Sequence, residues 1–468
     1  VTAQALDAAR AALAGQPAWV VGGAVRDALL GRPTADVDLV VAGDARTAAR
    51  TLARDAGGPA FELSGEFGAW RVIGPGRRWQ VDVTPLQGGS LSEDLARRDF
   101  TINAMAEPLS GGEVVDPHGG AQDLAARRLR MVSAGSFDDD PLRVLRLARF
   151  ASELDLEPDP DTVVAAAQRA PRIVDVAAER VFAELKRVVA ADRVLDGLAL
   201  MDRLDLTRHV LPELSGLRGV EQNRYHHLDV HDHTLEVLAE TVALERDPGA
   251  VLGPELAEPI RDFLAQPFSD ELTRGEVLRF GALLHDAAKP ETQARHEDGS
   301  ILGFPGHADL GAERARAALT RLRTSEKLRA HVALLARHHL GLGYLVHQAP
   351  LDRRTIHQYL VRTAPVEVDV SLLSIADRLA TRGRKAGEAI AKHLEVARVV
   401  LPEALDYAAF AAQPALVRGD ELARELGIRP GPALGALLAQ LEEARFAGEI
   451  ATRDDAVALA RRLVAEEG

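Results

Sequence analysis

Strand-like and helix-like patterns of apolar positions alternate through the first 138 residues, and helix-like spacing follows. Trp19-Val20-Val21 is an unbroken apolar run rich in β-branched residues, which predicts a buried strand. Asp36-Val37-Asp38-Leu39-Val40-Val41 opens with polar and apolar residues in alternation, and Gln80-Val81-Asp82-Val83-Thr84 alternates throughout. Side chains alternate across a strand, so Asp36 and Asp38 are expected on one face. Further on, residues 163–167 and 179–189 carry amphipathic helical spacing. Pro212-Glu213-Leu214-Ser215-Gly216 ends that stretch, and Asp247-Pro248-Gly249 through Pro267 reads as a loop-rich insertion. The expected fold class is α+β. An α/β head spans 1–138, a helical neck 139–219, a second helical domain 220–401 and a helical tail 402–468.

Gly22 and Gly23 break the first strand, and a helix follows with Arg26 and Asp27 in its first turn. Backbone N–H groups at a glycine turn entering a helix form a natural phosphate cradle. Two adjacent carboxylates, Asp36 and Asp38, repel unless a cation lies between them, and Mg²⁺ is the usual ion beside a nucleotide phosphate. Asp82 reads equally as a third carboxylate near that ion or as a surface residue on an edge strand. In Arg97-Arg98-Asp99-Phe100-Thr101-Ile102-Asn103, Arg98 suits phosphate oxygens, and Asp99 and Asn103 suit sugar hydroxyls. Asp140-Pro141 reads as a helix start, with Arg143, Arg146 and Arg149 along one face. Such a face is ordinarily solvated. Here an Asp and an Arg one turn apart also offer acceptors and donors to the edge of a base.

A second constellation lies in the middle of the chain. His226, His227, His231 and His233 stand at a helix entrance, His285-Asp286 ends an apolar run, and His307, His338-His339 and Ala376-Asp377-Arg378 follow. Neutral imidazole is a common ligand for divalent transition metals, and a carboxylate in an apolar helix must be paired or metal-bound. His226, His227 and His231 are expected at the surface. Lys289 reads as a phosphate contact or as a solvated side chain.

In this order, the segments from Gly22 to Asp38, Asp94 to Ala106, Asp116 to Leu124, Asp140 to Leu154 and Glu179 to Leu185 resemble the class II tRNA nucleotidyltransferases and bacterial poly(A) polymerases, most closely the CCA-adding group. The resemblance implies that Asp36 and Asp38 hold catalytic Mg²⁺ and that Gly22, Gly23 and Arg26, with Asp27 beside them, hold the triphosphate. It further implies that Arg98, Asp99 and Asn103 set sugar and phosphates, and that Asp140 and Arg143 select the base. The implied partners are tRNA, CTP and ATP, and the implied product is a tRNA 3′ end extended by C, C and A. The histidine-rich part resembles the HD phosphohydrolases. It implies a divalent transition metal or Mg²⁺ held by His233, His285, Asp286 and Asp377, with His307 and one of His338 or His339 as further ligands, and hydrolysis of phosphoesters. One departure concerns residues 84–92, where members that finish with A carry a longer loop and CC-adding members lack it. A CC-adding enzyme, a poly(A) polymerase and an HD phosphohydrolase with a nucleotide-sensing head stay open.

Composition adds bounds. The formal net charge is −14, so an RNA-binding surface must concentrate its positive charge locally. Candidates are Arg127, Arg128 and Arg130, and Arg180, Lys186 and Arg187. The tail turn Arg429-Pro430-Gly431-Pro432 is a further candidate for an RNA phosphate, or plain helix punctuation. The chain has no cysteine, so disulfides and thiolate metal sites are excluded. No apolar run is long enough to span a bilayer and there is no signal-peptide pattern, so a cytoplasmic enzyme without a membrane partner is expected.

Overall fold

Six strands form one mixed sheet in the order β3-β4-β5-β2-β1-β6. They are β1 (Ala18–Val21), β2 (Asp36–Val41), β3 (Ala60–Ser64), β4 (Ala69–Ile73), β5 (Gln80–Pro85) and β6 (Ala106–Pro108). β2 and β5 run parallel, and their register sets Asp38 beside Asp82; the other pairs are antiparallel. This is a computed structural model that describes residues 2–34, 36–65, 68–223, 227–383 and 386–467. The side chain of Asp36 falls outside the described residues, although its backbone belongs to β2.

The alternation in β2 and β5 decides which face is core. Val37, Leu39, Val41, Val81 and Val83 are buried against Ala5 and Ala9 of helix α1 (Thr2–Ala12) and Ala48, Ala49 and Leu52 of a later helix, Ala45–Ala56. Asp44 caps the Ala45–Ala56 helix by accepting from the Thr47 N–H at 3.0 Å. The other sheet face carries Asp38 and Asp82.

The chain forms two compact units, Val1–Val210 and Leu211–Gly468. In the first, the helices Leu142–Leu154 and Ala178–Ala190 follow the sheet, with Phe100 edge-on to Phe137 and Phe150. In the second, the helices Val230–Arg246, Arg274–Leu284, Glu326–His338 and Glu367–Ala380 share an apolar core. A Cβ on Gly281 would lie 2.6 Å from Leu335 Cδ1, so glycine there permits close helix approach. The helices Gly419–Leu426, Pro432–Ala447 and Arg453–Glu467 bury Leu422, Leu441 and Ala460 together.

Two expectations are corrected. Segment 247–267 is helical: Pro248–Leu252 and Pro254–Leu264 both begin with proline, and the Asp247 side chain caps the first. Proline at a first helical position costs no hydrogen bond, so what reads as a breaker is a start signal. The region after residue 138 is also not purely helical, since Pro267–Ser269 pairs with Leu272–Thr273 and Ala294–Arg295 with Ile301–Gly303. Among the described residues no helix is long and apolar enough to cross a membrane.

Candidate active site

A cleft of ≈ 620 Å³ in the first unit gathers Gly22, Gly23, Arg26, Asp27, Asp38, Arg98, Asp99, Asn103, Asp140, Arg143, Arg146 and Arg149, all expected from the sequence. The glycine turn builds one wall. Gly22 has φ +68°, and a Cβ there would lie 2.9 Å from Arg98 Nη1, so both backbone and space call for glycine. The helix Gly23–Leu29 follows, and Gly23 and Ala24 at its start line the cleft. Asp38 is an exposed carboxylate facing this space. Its neighbour in register, Asp82, is held by Arg71, with Nε to Oδ1 at 2.7 Å and Nη2 to Oδ2 at 2.8 Å.

Behind the wall runs a buried polar chain. Arg26 donates to Asp27 Oδ1 and to Asn103 Oδ1, each at 2.8 Å. Asn103 donates to Asp99 Oδ1 at 3.0 Å, and Arg146 Nε donates to Asp99 Oδ2 at 2.8 Å. Arg146 also reaches Glu184 at 3.2 Å, and Arg149 pairs with Glu184 at 2.8 Å. Burial alone would raise the Asp99 carboxyl, but Arg146 and the Asn103 hydrogen bond bring it down to about 2. Burial pulls the Arg149 guanidinium down to about 10, against the pull of Glu184. Arg98 is tied to Asp94 at 3.2 Å.

Asp140 sits just before the Leu142–Leu154 helix, where Pro141 rather than Asp140 takes the capping position. Its Oδ1 accepts from the Leu142 N–H at 3.2 Å and its Oδ2 from Arg180 Nη2 at 2.7 Å. Arg143 folds back, donating to the Ser136 carbonyl at 3.1 Å, to Ser136 Oγ at 3.0 Å and to the Arg97 carbonyl at 2.8 Å. Arg180 and Arg187, candidates for RNA contact, line this cleft as well. The pairing of Arg180 with Asp140 and the bridging place of Glu184 have no local sequence signal.

The second unit builds a separate ligand cluster. Donor atoms of His233, His285 and Asp286 lie within 4.8 Å of one another, and so do those of Asp286, His307 and His339. Asp377 Oδ1 is 3.0 Å from His233 Nε2. His285 Nε2 and Asp286 Oδ1 are buried without a hydrogen bond, and Asp286 Oδ2 lies 3.1 Å from His285 Nε2 and 2.6 Å from Lys289 Nζ. Orphaned donors converging in this way suit a divalent cation. Burial and the nearby His285 bring His339 down to about 4, so its ring is neutral at pH 7 as a metal ligand must be; burial also lowers His307, whereas Asp286 raises His285 against the effect of its burial. Burial alone would raise the Asp286 carboxyl, but His285 and Lys289 bring it well below the usual range.

Three sequence expectations are settled or corrected here. Of the adjacent pair, His339 joins the cluster and His338 does not. Lys289 is buried, with Nζ 2.6 Å from Asp286 Oδ2. His231 is not a surface residue. It is buried between Asp232 at 2.9 Å and Arg218 at 3.1 Å. His227 is exposed, and His226 lies outside the described residues.

Residues 18–87 and 76–130 match the poly A polymerase head domain, and 230–382 match the HD domain. Residues 155–217 match the model described as "Probable RNA and SrmB- binding site of polymerase A". The A-adding tRNA nucleotidyltransferase of Deinococcus radiodurans is 37% identical, over 96% of this chain and 96% of its own. The chain belongs to the tRNA nucleotidyltransferases. Another member, the CC-adding tRNA nucleotidyltransferase of Thermus thermophilus, is 34% identical over 94% of this chain and 92% of its own. The fold of this nucleotidyltransferase is that of the Thermotoga maritima CCA-adding enzyme complexed with tRNA, at TM-score 0.63 and 18% identity, covering 99% of this chain and 96% of that one.

Proposed function

We propose that this enzyme adds C, C and A to the 3′ end of tRNA from CTP and ATP, without a nucleic-acid template. The observation that carries the reading is the convergence of the glycine turn, Asp38 and the Asp140–Arg143 pair on one cleft. Asp36 and Asp38 would hold Mg²⁺, which supplies activation of the tRNA 3′ hydroxyl and charge neutralisation at the transferring phosphate. The Gly22–Gly23 turn, Arg26 and Arg98 bind and orient the triphosphate. The new bond joins the 3′ oxygen to the α-phosphorus, the α–β anhydride breaks, and pyrophosphate leaves. Asp140 and Arg143 present an acceptor and donors to the base. The sequence divisions 1–138, 139–219, 220–401 and 402–468 serve as transfer head, base-selecting neck, HD domain and RNA-binding tail. In the HD domain, His233, His285, Asp286, Asp377, His307 and His339 would hold divalent transition metal or Mg²⁺ for phosphoester hydrolysis. The whole acts in the cytoplasm.

A second reading, addition of C and C alone, has its own observation. Only residues 86–90 join β5 to the next helix, Leu91–Ala96. That connection is tied down, since the Gly89 N–H donates to Glu93 Oε2 and the Gln87 N–H to Asp94 Oδ1. The deciding experiment extends a tRNA lacking CCA with CTP, ATP or both, read at single-nucleotide resolution. Full CCA supports the first reading, a stop at CC the second, and no extension overturns both.

A further inference from the structure

Phe61 and Leu63 stand exposed on β3, an edge strand of the six-stranded sheet. Strand register puts Phe61 in line with Asp38. Phe61 pairs in register with Arg71 of β4, Arg71 with Asp82 of β5, and Asp82 with Asp38 of β2. Register partners share a face, so these four side chains form a row on the face that carries Asp38. Trp70, one residue before Arg71, turns to the other face, where it packs on the core with the guanidinium groups of Arg46 and Arg50 over its ring. Phe61 has no such cover. It is 43% exposed, and among the described residues no ring or guanidinium packs on it. Leu63, beside it, lies where the register with β4 shifts between Glu62 and Ser64.

The two sides of Asp38 differ. β1, which leads into the Gly22 turn, lies on one side of β2, and β5 lies on the other. The cleft that gathers Gly22, Arg26 and Arg98 reaches Asp38 but, among the described residues, takes none of its lining from β3, β4 or β5. Displacement at phosphorus sets the attacking and leaving oxygens in line. With pyrophosphate leaving on the Gly22 side, the attacking 3′ oxygen enters from the β5 side, and the RNA behind it runs over β5, β4 and β3. A bare carboxylate on that path would repel RNA phosphates, and the bidentate Arg71 cancels the charge of Asp82. Three strand spacings put Phe61 about 14 Å from Asp38, beyond the attacking nucleotide and within reach of an unpaired base upstream of it. Aromatic rings hold single-stranded bases by stacking, with little regard to sequence. Resting on the transfer reading, the geometry points to Phe61 as a stacking platform for the unpaired 3′ end of the tRNA acceptor. Leu63 extends its apolar surface, and Arg71 keeps the path electrically neutral.

The test is a double-mutant cycle between protein and RNA, read as tRNA affinity of the full-length protein by fluorescence anisotropy. The tRNA ends in the first added C and is either intact or abasic at the unpaired nucleotide just before it. Phe61→Ala is expected to weaken the intact tRNA about tenfold and the abasic tRNA not at all, while Phe61→Trp keeps the wild-type pattern. An abasic sugar that costs as much in Phe61→Ala as in wild type overturns the proposal, because the ring and the base then act independently. Steady-state extension with CTP and Mg²⁺ runs in parallel, where Phe61→Ala should raise KM for tRNA and leave KM for CTP within about twofold. An equal rise in both marks a general structural effect and also overturns it. If wild type extends and the cycle shows no coupling, the transfer reading stands and the platform falls. If wild type extends nothing but the coupling is present, the platform stands and the transfer reading falls. A second copy of this chain pairing along β3 is the rival occupant. A wild-type dimer that Phe61→Ala dissociates in sedimentation, with tRNA affinity unchanged, overturns the proposal in its favour. Leu63→Ala, with a smaller expected loss of tRNA affinity, keeps the test decisive should Phe61→Ala fold poorly.

Discussion

Arg180 donates from Nη2 to Asp140 Oδ2 at 2.7 Å, from a helix forty residues further along the chain. With the Leu142 N–H on its other oxygen, the carboxylate is held in one orientation and remains an acceptor. An acceptor suits the exocyclic amino groups of cytosine and adenine and repels the carbonyl oxygens that uracil and guanine present instead. Arg180→Ala is therefore expected to relax base choice more than it slows transfer. Misincorporation of UMP should rise about tenfold, in line with roughly 1–3 kcal/mol for a good base contact. Arg180→Lys should recover part of that selectivity. Single-turnover extension with each of four nucleotides reads the effect, and unchanged UMP misincorporation would show that Asp140 needs no such support.

The two glycines of the cradle make a paired prediction. Alanine at Gly22 meets both a positive φ and Arg98 Nη1 at 2.9 Å. Left-handed backbone costs about 1–2 kcal/mol for a residue with Cβ, and the guanidinium must also move. Gly22→Ala should raise the KM for CTP at least tenfold and lower Tm by several degrees. At Gly23 the nearest atom to an added Cβ is Arg26 Nη2 at 3.5 Å, an ordinary contact. Gly23→Ala should therefore stay within threefold of wild type. Steady-state kinetics and thermal melts of both variants check the contrast.

Acid stability should report Asp99. Its folded value of about 2 lies below the unfolded carboxylate value, so the ionised form is the stabilising one. The contribution is complete above about pH 4 and is lost as pH falls towards 2, and it amounts to about 2 kcal/mol. Asp99→Asn leaves Arg146 with Glu184 as its remaining partner in the buried chain. Breaking such a pair costs about 3–5 kcal/mol at neutral pH. Urea unfolding at pH 7, 4 and 3 should show a steeper acid loss for wild type than for the variant, and parallel curves would remove Asp99 from the account.

What the sequence showed and hid has a physical pattern. The Asp-Val-Asp alternation and the Gly22–Gly23 break were legible because strand period and glycine turns are local properties. The histidines and aspartates of the second unit stood out by their order along the chain, and the fold brings His233, His285, Asp286, His307 and His339 together. Arg180 was not, because its partner is forty residues away and only packing joins them. His231 carried a polar label but is buried with its own hydrogen bonds. The prolines at 248 and 254 looked like loop residues because proline reads the same at a helix start and in a turn.

His338 and His339 differ by one step at the end of the Glu326–His338 helix, and that step decides which joins the ligand cluster. Adjacent helical residues point about 100° apart, because a turn holds 3.6 residues. His339 Nε2 lies 3.3 Å from His307 Nε2, while His338 is outside both ligand groups. His339→Ala should weaken the binding of Mn²⁺ or Co²⁺ more than tenfold and His338→Ala by less than twofold. Asp286 belongs to both groups, so its removal should reach further than that of either histidine. Calorimetric titration of Asp286→Ala should lose about two ions per chain relative to wild type, and His339→Ala about one, as expected when one carboxylate bridges a two-metal site. Equal losses in the two variants would mean that Asp286 serves a single ion and that the histidines at 307 and 339 are not a second ligand set.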